Sequence, residues 1–161
     1  MTTNSIWYAL GSNLAINTIG YVISAAKQTE KYYDLCGTSS FVASSFVALG
    51  SHESLLTLHA RHVALLLTTS VWALRLLVHL WTRVHRLGGD SRFDGVKTKP
   101  LVFAIYWLVQ ALWVAVVSMP TVVVLAHPSQ VLPPLNMFDF LGLAVWAAGF
   151  TLEVVADQQK A

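Results

Sequence analysis

Five long apolar runs separated by short polar connections limit what this chain can become. They are Ser5 to Ala26, Leu35 to Gly50, His62 to Val84, Leu101 to Ala126 and Phe138 to Ala156. Inside lipid every backbone N–H and C=O must be satisfied within the protein, which leaves helices or a closed barrel. None of the runs alternates as a barrel strand would, so all five are expected to be helices, most of them near the ~20 residues that a bilayer crossing needs. Composition agrees. Charged residues make up 11% of the chain, against roughly a quarter in soluble domains, and mean hydropathy is +0.59. So little charge cannot cover a globular surface, and the expected fold is one all-α, polytopic membrane bundle of about five helices over residues 1–161.

The second run is the weakest, being short and rich in Gly, Ser and Ala. Either it continues through Ser51 to Leu58 or it crosses as a short helix packed closely through its small residues. Pro100 suits the first turn of the fourth helix, and Pro120 is expected to kink it. Pro128, Pro133 and Pro134 mark the loop before the fifth. No Lys or Arg precedes Lys27, so a cleaved secretory signal is not expected and the first run is read as a retained span.

Basic residues orient the bundle. Lys27, Lys31, Arg83, Arg86, Arg92, Lys97, Lys99 and Lys160 fall on one side of the five-helix arrangement and Arg61 on the other. The positive-inside rule then places the N-terminus outside and the C-terminus inside. Nothing in the chain selects one membrane over another. A net charge of +2 with scattered basic residues gives no case for nucleic acid. The lone Cys36 excludes an internal disulfide.

Arg75 is the one basic residue well inside a run. With His79 and Arg83 it follows i, i+4, i+8 spacing, so all three share a helical face. The fifth run carries Glu153 and Asp157, also four apart. Counted from their outer ends, Arg75 and Glu153 lie at similar depth. An intramembrane charge without a partner is penalised by roughly 2.5–3.5 kcal/mol on insertion scales. An Arg75–Glu153 ion pair is therefore expected, with His79 close to Asp157 one turn deeper and Arg83 a further partner or topology-setting charge.

Asn13, Asn17 and Gln110 are read as interhelical hydrogen-bonding groups. His52, Glu53, His59 and His62 have a weak metal-ligand spacing in a stretch that reads as an interfacial turn, and no metal is expected there. Trp7, Tyr8, Tyr32, Tyr33 and Trp81 fall near the ends of the runs, as an interfacial aromatic belt would. Nucleotide-binding glycine loops, HExxH and GxSxG are absent from the sequence.

Four segments carry a resemblance: KYYDLCGTSSF (31–41), LRLLVHLWTRVHRLGGDSRFD (74–94), WLVQALWVAVVSMP (107–120) and DFLGLAVWAAGFTLEVVADQQK (139–160). In this order they resemble the uncharacterised membrane family related to steroid 5-alpha-reductases. The loop Gly88, Gly89, Asp90, Arg92, Phe93, Asp94 and the Glu153–Lys160 ending are the most specific parts. The resemblance implies a multi-helix membrane protein that reduces a double bond in a lipid-like substrate with NADPH, with Asp157 and Glu153 where the cofactor begins to be held. Family members continue into further helices bearing Gly-Leu-Trp and Ser-Arg-His-Pro-Asn-Tyr motifs, which supply most cofactor contacts, whereas this sequence ends at Ala161. The first expectation is therefore a non-catalytic accessory or structural subunit of a larger membrane complex, without a cofactor, in contact with membrane lipids and other subunits. The alternative is an NADPH-dependent reductase whose cofactor half comes from elsewhere.

Overall fold

The computed structural model describes residues 3–50 and 58–159. These residues form five helices and no strand: α1 (Thr3–Lys27), α2 (Tyr33–Leu49), α3 (Ala60–Leu87), α4 (Pro100–Leu125) and α5 (Met137–Gln159). Each covers one of the apolar runs. Ser91–Phe93 and Ser129–Val131 form short 3-10 turns in the two long connections. α2 stops at Leu49, and most of the segment considered for its extension lies outside the described residues.

Local chemistry sets the ends. The His59 Nδ1 accepts from the Arg61 amide at the start of α3, and Pro100 occupies the first turn of α4, where its missing N–H costs nothing. Asn136 and Asp139 cap the start of α5 reciprocally, Asn136 Oδ1 accepting from the Phe138 amide and Asp139 Oδ2 from the Asn136 amide. Pro120 sits inside α4 without ending it.

α3, α4 and α5 are long and apolar enough to cross a membrane. α1 and α2 turn polar residues toward each other. Asn13, Asn17, Ser40 and Ser44 are all buried. Asn17 Nδ2 donates to Asn13 Oδ1 at 2.9 Å and Ser40 Oγ at 3.1 Å. Gln110 Nε2 donates to Asn17 Oδ1 at 2.8 Å and to the Tyr33 carbonyl at 2.9 Å, while Asn13 Nδ2 donates to the Ala111 carbonyl at 2.8 Å. The three amides thus join α1, α2 and α4, as their placement in apolar runs implied. Such bonds contribute roughly 0.6–2 kcal/mol each in a membrane.

α2 is the central helix, packed against α1, α3 and α4. Apolar layers flank the amides. One contains Ala9, Ala48, Leu49, Leu66, Val122 and Leu125; the other contains Phe93, Phe103 and Trp107. Tyr33 belongs to the second layer and not to an aromatic belt. Its ring meets Phe93 and Trp107 edge-on at 4.9 and 5.2 Å, and its hydroxyl donates to the Tyr106 carbonyl. The position at the start of α2 faces α4, which pulls this ring inward. Trp7 and Tyr8 are exposed as the belt reading requires.

α1 and α2 approach so closely at Gly20 that a Cβ there would lie 2.5 Å from both Cys36 Sγ and the Trp107 ring. Gly142 in α5 has nothing within 4 Å of the equivalent point. Gly20→Ala is expected to lower the thermal midpoint in detergent, by the ~1–3 kcal/mol typical of overpacking. Gly142→Ala should leave it unchanged or raise it. Equal effects would contradict the close α1–α2 packing.

Candidate functional site

α5 is attached to the bundle chiefly through charges. It packs against α3 and buries none of its residues. At one end Arg61 grips Asp139 with two bonds, Nε to Oδ1 at 2.8 Å and Nη2 to Oδ2 at 2.7 Å. At the other, Arg75 Nη1 donates to Glu153 Oε1 at 2.9 Å and Nη2 lies 2.7 Å from Asp157 Oδ2. Trp72 Nε1 donates to the second Glu153 oxygen at 2.9 Å, and His79 Nε2 stands 3.7 Å from Asp157.

The Arg61–Asp139 and Arg75–Glu153 pairs have the same sequence separation, 78 residues. α3 and α5 therefore run parallel in constant register. Steps of three and four residues bring Arg61, Leu65, Thr68, Trp72 and Arg75 to one face of α3, opposite Asp139, Gly142, Trp146, Gly149 and Glu153 on α5.

Arg75 and Glu153 meet as their depths implied. His79 stands near Asp157 as expected, at 3.7 Å, and Arg75 takes Asp157 as well, at 2.7 Å, because a planar guanidinium can serve two carboxylates one helical turn apart. Arg83 does not join this cluster. It reaches Asp90 at 3.5 Å in the loop that follows its own helix. The Arg61–Asp139 pair and the Trp72 bond were missed by sequence reasoning. For Arg61 and Asp139 the signal was the presence of both partners at the starts of two parallel helices.

Between the two charged ends α5 stands away from the bundle. A slot of about 400 Å³ opens there, with Phe41 and Ser45 from α2, Ser118 from α4, Thr68 and Trp72 from α3, and Trp146 from α5. A second hollow of about 310 Å³ extends it toward Arg61 and Asp139, sharing Leu65, Thr68 and Trp146. The glycines leave the space open, since a Cβ at Gly149, as at Gly142, would have no neighbour within 4 Å. The walls are apolar with scattered hydroxyls, and one end carries Glu153 and the Trp72 indole. Such a site can hold an elongated apolar body with one polar end.

The Gly88–Asp94 loop builds a clasp at the basic end. Gly88 ends α3 with φ +76°, a conformation glycine adopts without strain. A Cβ on Gly89 would fall 2.9 Å from Glu30 Oε1, the same oxygen that accepts from the Asp90 amide at 3.1 Å. Lys97 Nζ donates to the other Glu30 oxygen at 2.9 Å. Asp90 accepts from the Arg92 amide and side chain, and Phe93 enters the core beside Tyr33 and Phe103. Asp94 closes the 3-10 turn through its amide on the Ser91 carbonyl. Glu30 is the residue that explains this motif, and as a single acid in a basic connection it carried no sequence signal.

Burial pushes the Glu30 carboxyl up, but the Lys97 and backbone hydrogen bonds outweigh it and hold the group below its ordinary 4.5. The Arg92 hydrogen bond holds Asp90 below 3.8.

Of the residues with metal-ligand spacing, His52 and Glu53 lie outside the described residues. His59 caps α3, and His62 Nε2 meets the Val124 carbonyl at 3.1 Å. No group of three metal-binding side chains occurs among the described residues.

Two outcomes follow. Arg75→Met should destabilise more than Glu153→Gln, because it leaves two carboxylates one turn apart without a cation; thermal melts in detergent or nanodiscs read the order. The depressed Glu30 and Asp90 carboxyls stabilise the fold above their ordinary values, and that contribution is lost as pH falls through the lower folded ones. The midpoint should thus fall below about pH 4.5, and fall less steeply in Glu30→Gln. An unchanged acid profile in that variant would contradict the clasp.

The family model that matches this chain covers residues 20–161 and is described as "Protein of unknown function (DUF1295)". No curated protein and no solved structure matches it. With the match spanning most of its length, the chain belongs to the DUF1295 family of proteins of unknown function.

Proposed function

We propose that this DUF1295 protein is a non-catalytic membrane component that holds a lipid-like molecule between α3 and α5. The observation that carries this reading is the slot of about 400 Å³, apolar along its walls and polar at the Glu153–Trp72 end. α3 and α5 are each long and apolar enough to cross a membrane, so the slot lies among lipids and is filled from them. An apolar molecule with a hydroxyl or carbonyl end matches it, the end lying against Glu153 and Trp72. The outward face of α5, where Leu141, Val145 and Leu152 are exposed, supports contact with lipid or with other subunits of a complex.

The second reading is an NADPH-dependent reductase acting on the molecule in the slot. It is favoured by Glu153, which lines the slot and lies in the segment where the resemblance implies cofactor contacts. The donor set argues against using these residues for the nucleotide. Glu153 and Asp157 are both engaged by Arg75, and two carboxylates beside one guanidinium repel a phosphate-bearing group. The pair does not fit the cofactor, and no hydride-transfer step is routed through it.

Mass analysis of lipids retained by the purified full chain tests the proposal. A discrete amphipathic species should co-purify and be lost in Gly149→Phe, which fills the slot. Retention unchanged in that variant would overturn the slot as the site. NADPH-dependent gain of two hydrogens by the retained species would overturn the non-catalytic part.

A further inference from the structure

The groove between α2, α3 and α4 does not end at the slot. Phe41, almost fully buried, stands edge-on to Trp72 at 5.0 Å and to Trp113 at 5.3 Å, and these three rings form a partition. Beyond it, toward the basic end, lies a separate chamber of about 290 Å³. Its membrane side is apolar, made by Leu76 and Leu80 of α3 and Val109 and Trp113 of α4. Val109 and Trp113 are about half exposed, so this side opens laterally to lipid. Its other side carries Asp34 and Arg92.

These two charges are incompletely matched. Arg92 is drawn chiefly to Asp90, with bonds of 2.5–3.0 Å, and stands 3.6 Å from Asp34. The Asp34 carboxylate, with about a fifth of its side chain exposed, therefore faces the chamber with only a loose counter-charge. Arg83 reaches the same Asp90 oxygen at 3.5 Å, so Asp90 is shared between two guanidinium groups and does not fully neutralise Arg92. A carboxylate and a guanidinium cluster at the mouth of a laterally open apolar chamber complement a zwitterion with its own apolar tail.

We propose that this chamber binds a phospholipid carrying a primary amine, of the phosphatidylethanolamine type, from the headgroup layer at the basic end. Its ammonium donates to Asp34, its phosphate accepts from Arg92, and an acyl chain leaves between Leu80, Val109 and Trp113. A primary ammonium has N–H groups to offer the carboxylate; a quaternary choline has none. A glycerol headgroup lacks the cation altogether.

Native mass spectrometry of the full chain, released from vesicles of equal phosphatidylethanolamine, phosphatidylcholine and phosphatidylglycerol, reads the site. Phosphatidylethanolamine should be retained about tenfold over phosphatidylcholine, the worth of one charge-assisted hydrogen bond. Asp34→Asn should abolish the preference. Leu80→Trp, which fills the apolar half without touching the charges, should lower phosphatidylethanolamine retention if Asp34→Asn does not fold. Gly149→Phe, which fills the slot on the other side of the partition, should leave the preference unchanged. Equal retention of the three lipids, a preference that survives Asp34→Asn, or retention unaffected by Leu80→Trp would overturn the proposal. So would displacement of the lipid by soluble phosphoethanolamine, which would assign the site to a free phosphate ester.

Discussion

A guanidinium held within an apolar helix needs a counter-charge, and the way Arg75 finds one decides where α5 goes. In lipid no hydrophobic force draws one apolar helix onto another, so packing and polar contacts set the arrangement. α5 buries none of its residues, which leaves little packing to hold it. The bonds from Arg75 to Glu153 and Asp157, with Arg61 to Asp139 at the other end, fix its position and register. Removing Arg75 leaves two carboxylates one helical turn apart with their shared guanidinium gone.

The remaining helices solve the same problem with neutral groups. α1, α2 and α4 are joined through Asn13, Asn17 and Gln110, whose donors find acceptors on neighbouring helices. α3 belongs to both systems, meeting α2 through packing and α5 through charge. The slot is the consequence. A bundle closed by amides and small residues adjoins a helix held at two points fourteen positions apart, and the stretch between them, with Gly142 and Gly149 facing inward, does not close.

Much of this was legible in the residues. The five runs gave the helices, because apolar length and the demand for internal backbone bonding are properties of the sequence itself. Arg75 and Glu153 could be paired because each is the rare charge in its run and depth can be counted. Arg61 and Asp139 look like ordinary interfacial charges, and only the parallel register of two helices separated by a long stretch of chain reveals them. Glu30 was equally silent, since its role depends on the Gly88–Asp94 loop folding back over the α1–α2 connection. Tyr33 illustrates the same limit: the sequence shows an aromatic near a helix end, but which way that end faces is set by α4.

Reading the coupling between Arg75 and Glu153 by a double-mutant cycle, in bilayer nanodiscs, tests the central claim most directly. Arg75→Gln, Glu153→Gln and the double variant are compared by reversible unfolding. A coupling of about 1–3 kcal/mol is expected for groups sharing one network. Costs that add within about 0.5 kcal/mol would show that α5 is held by something other than this charge pair.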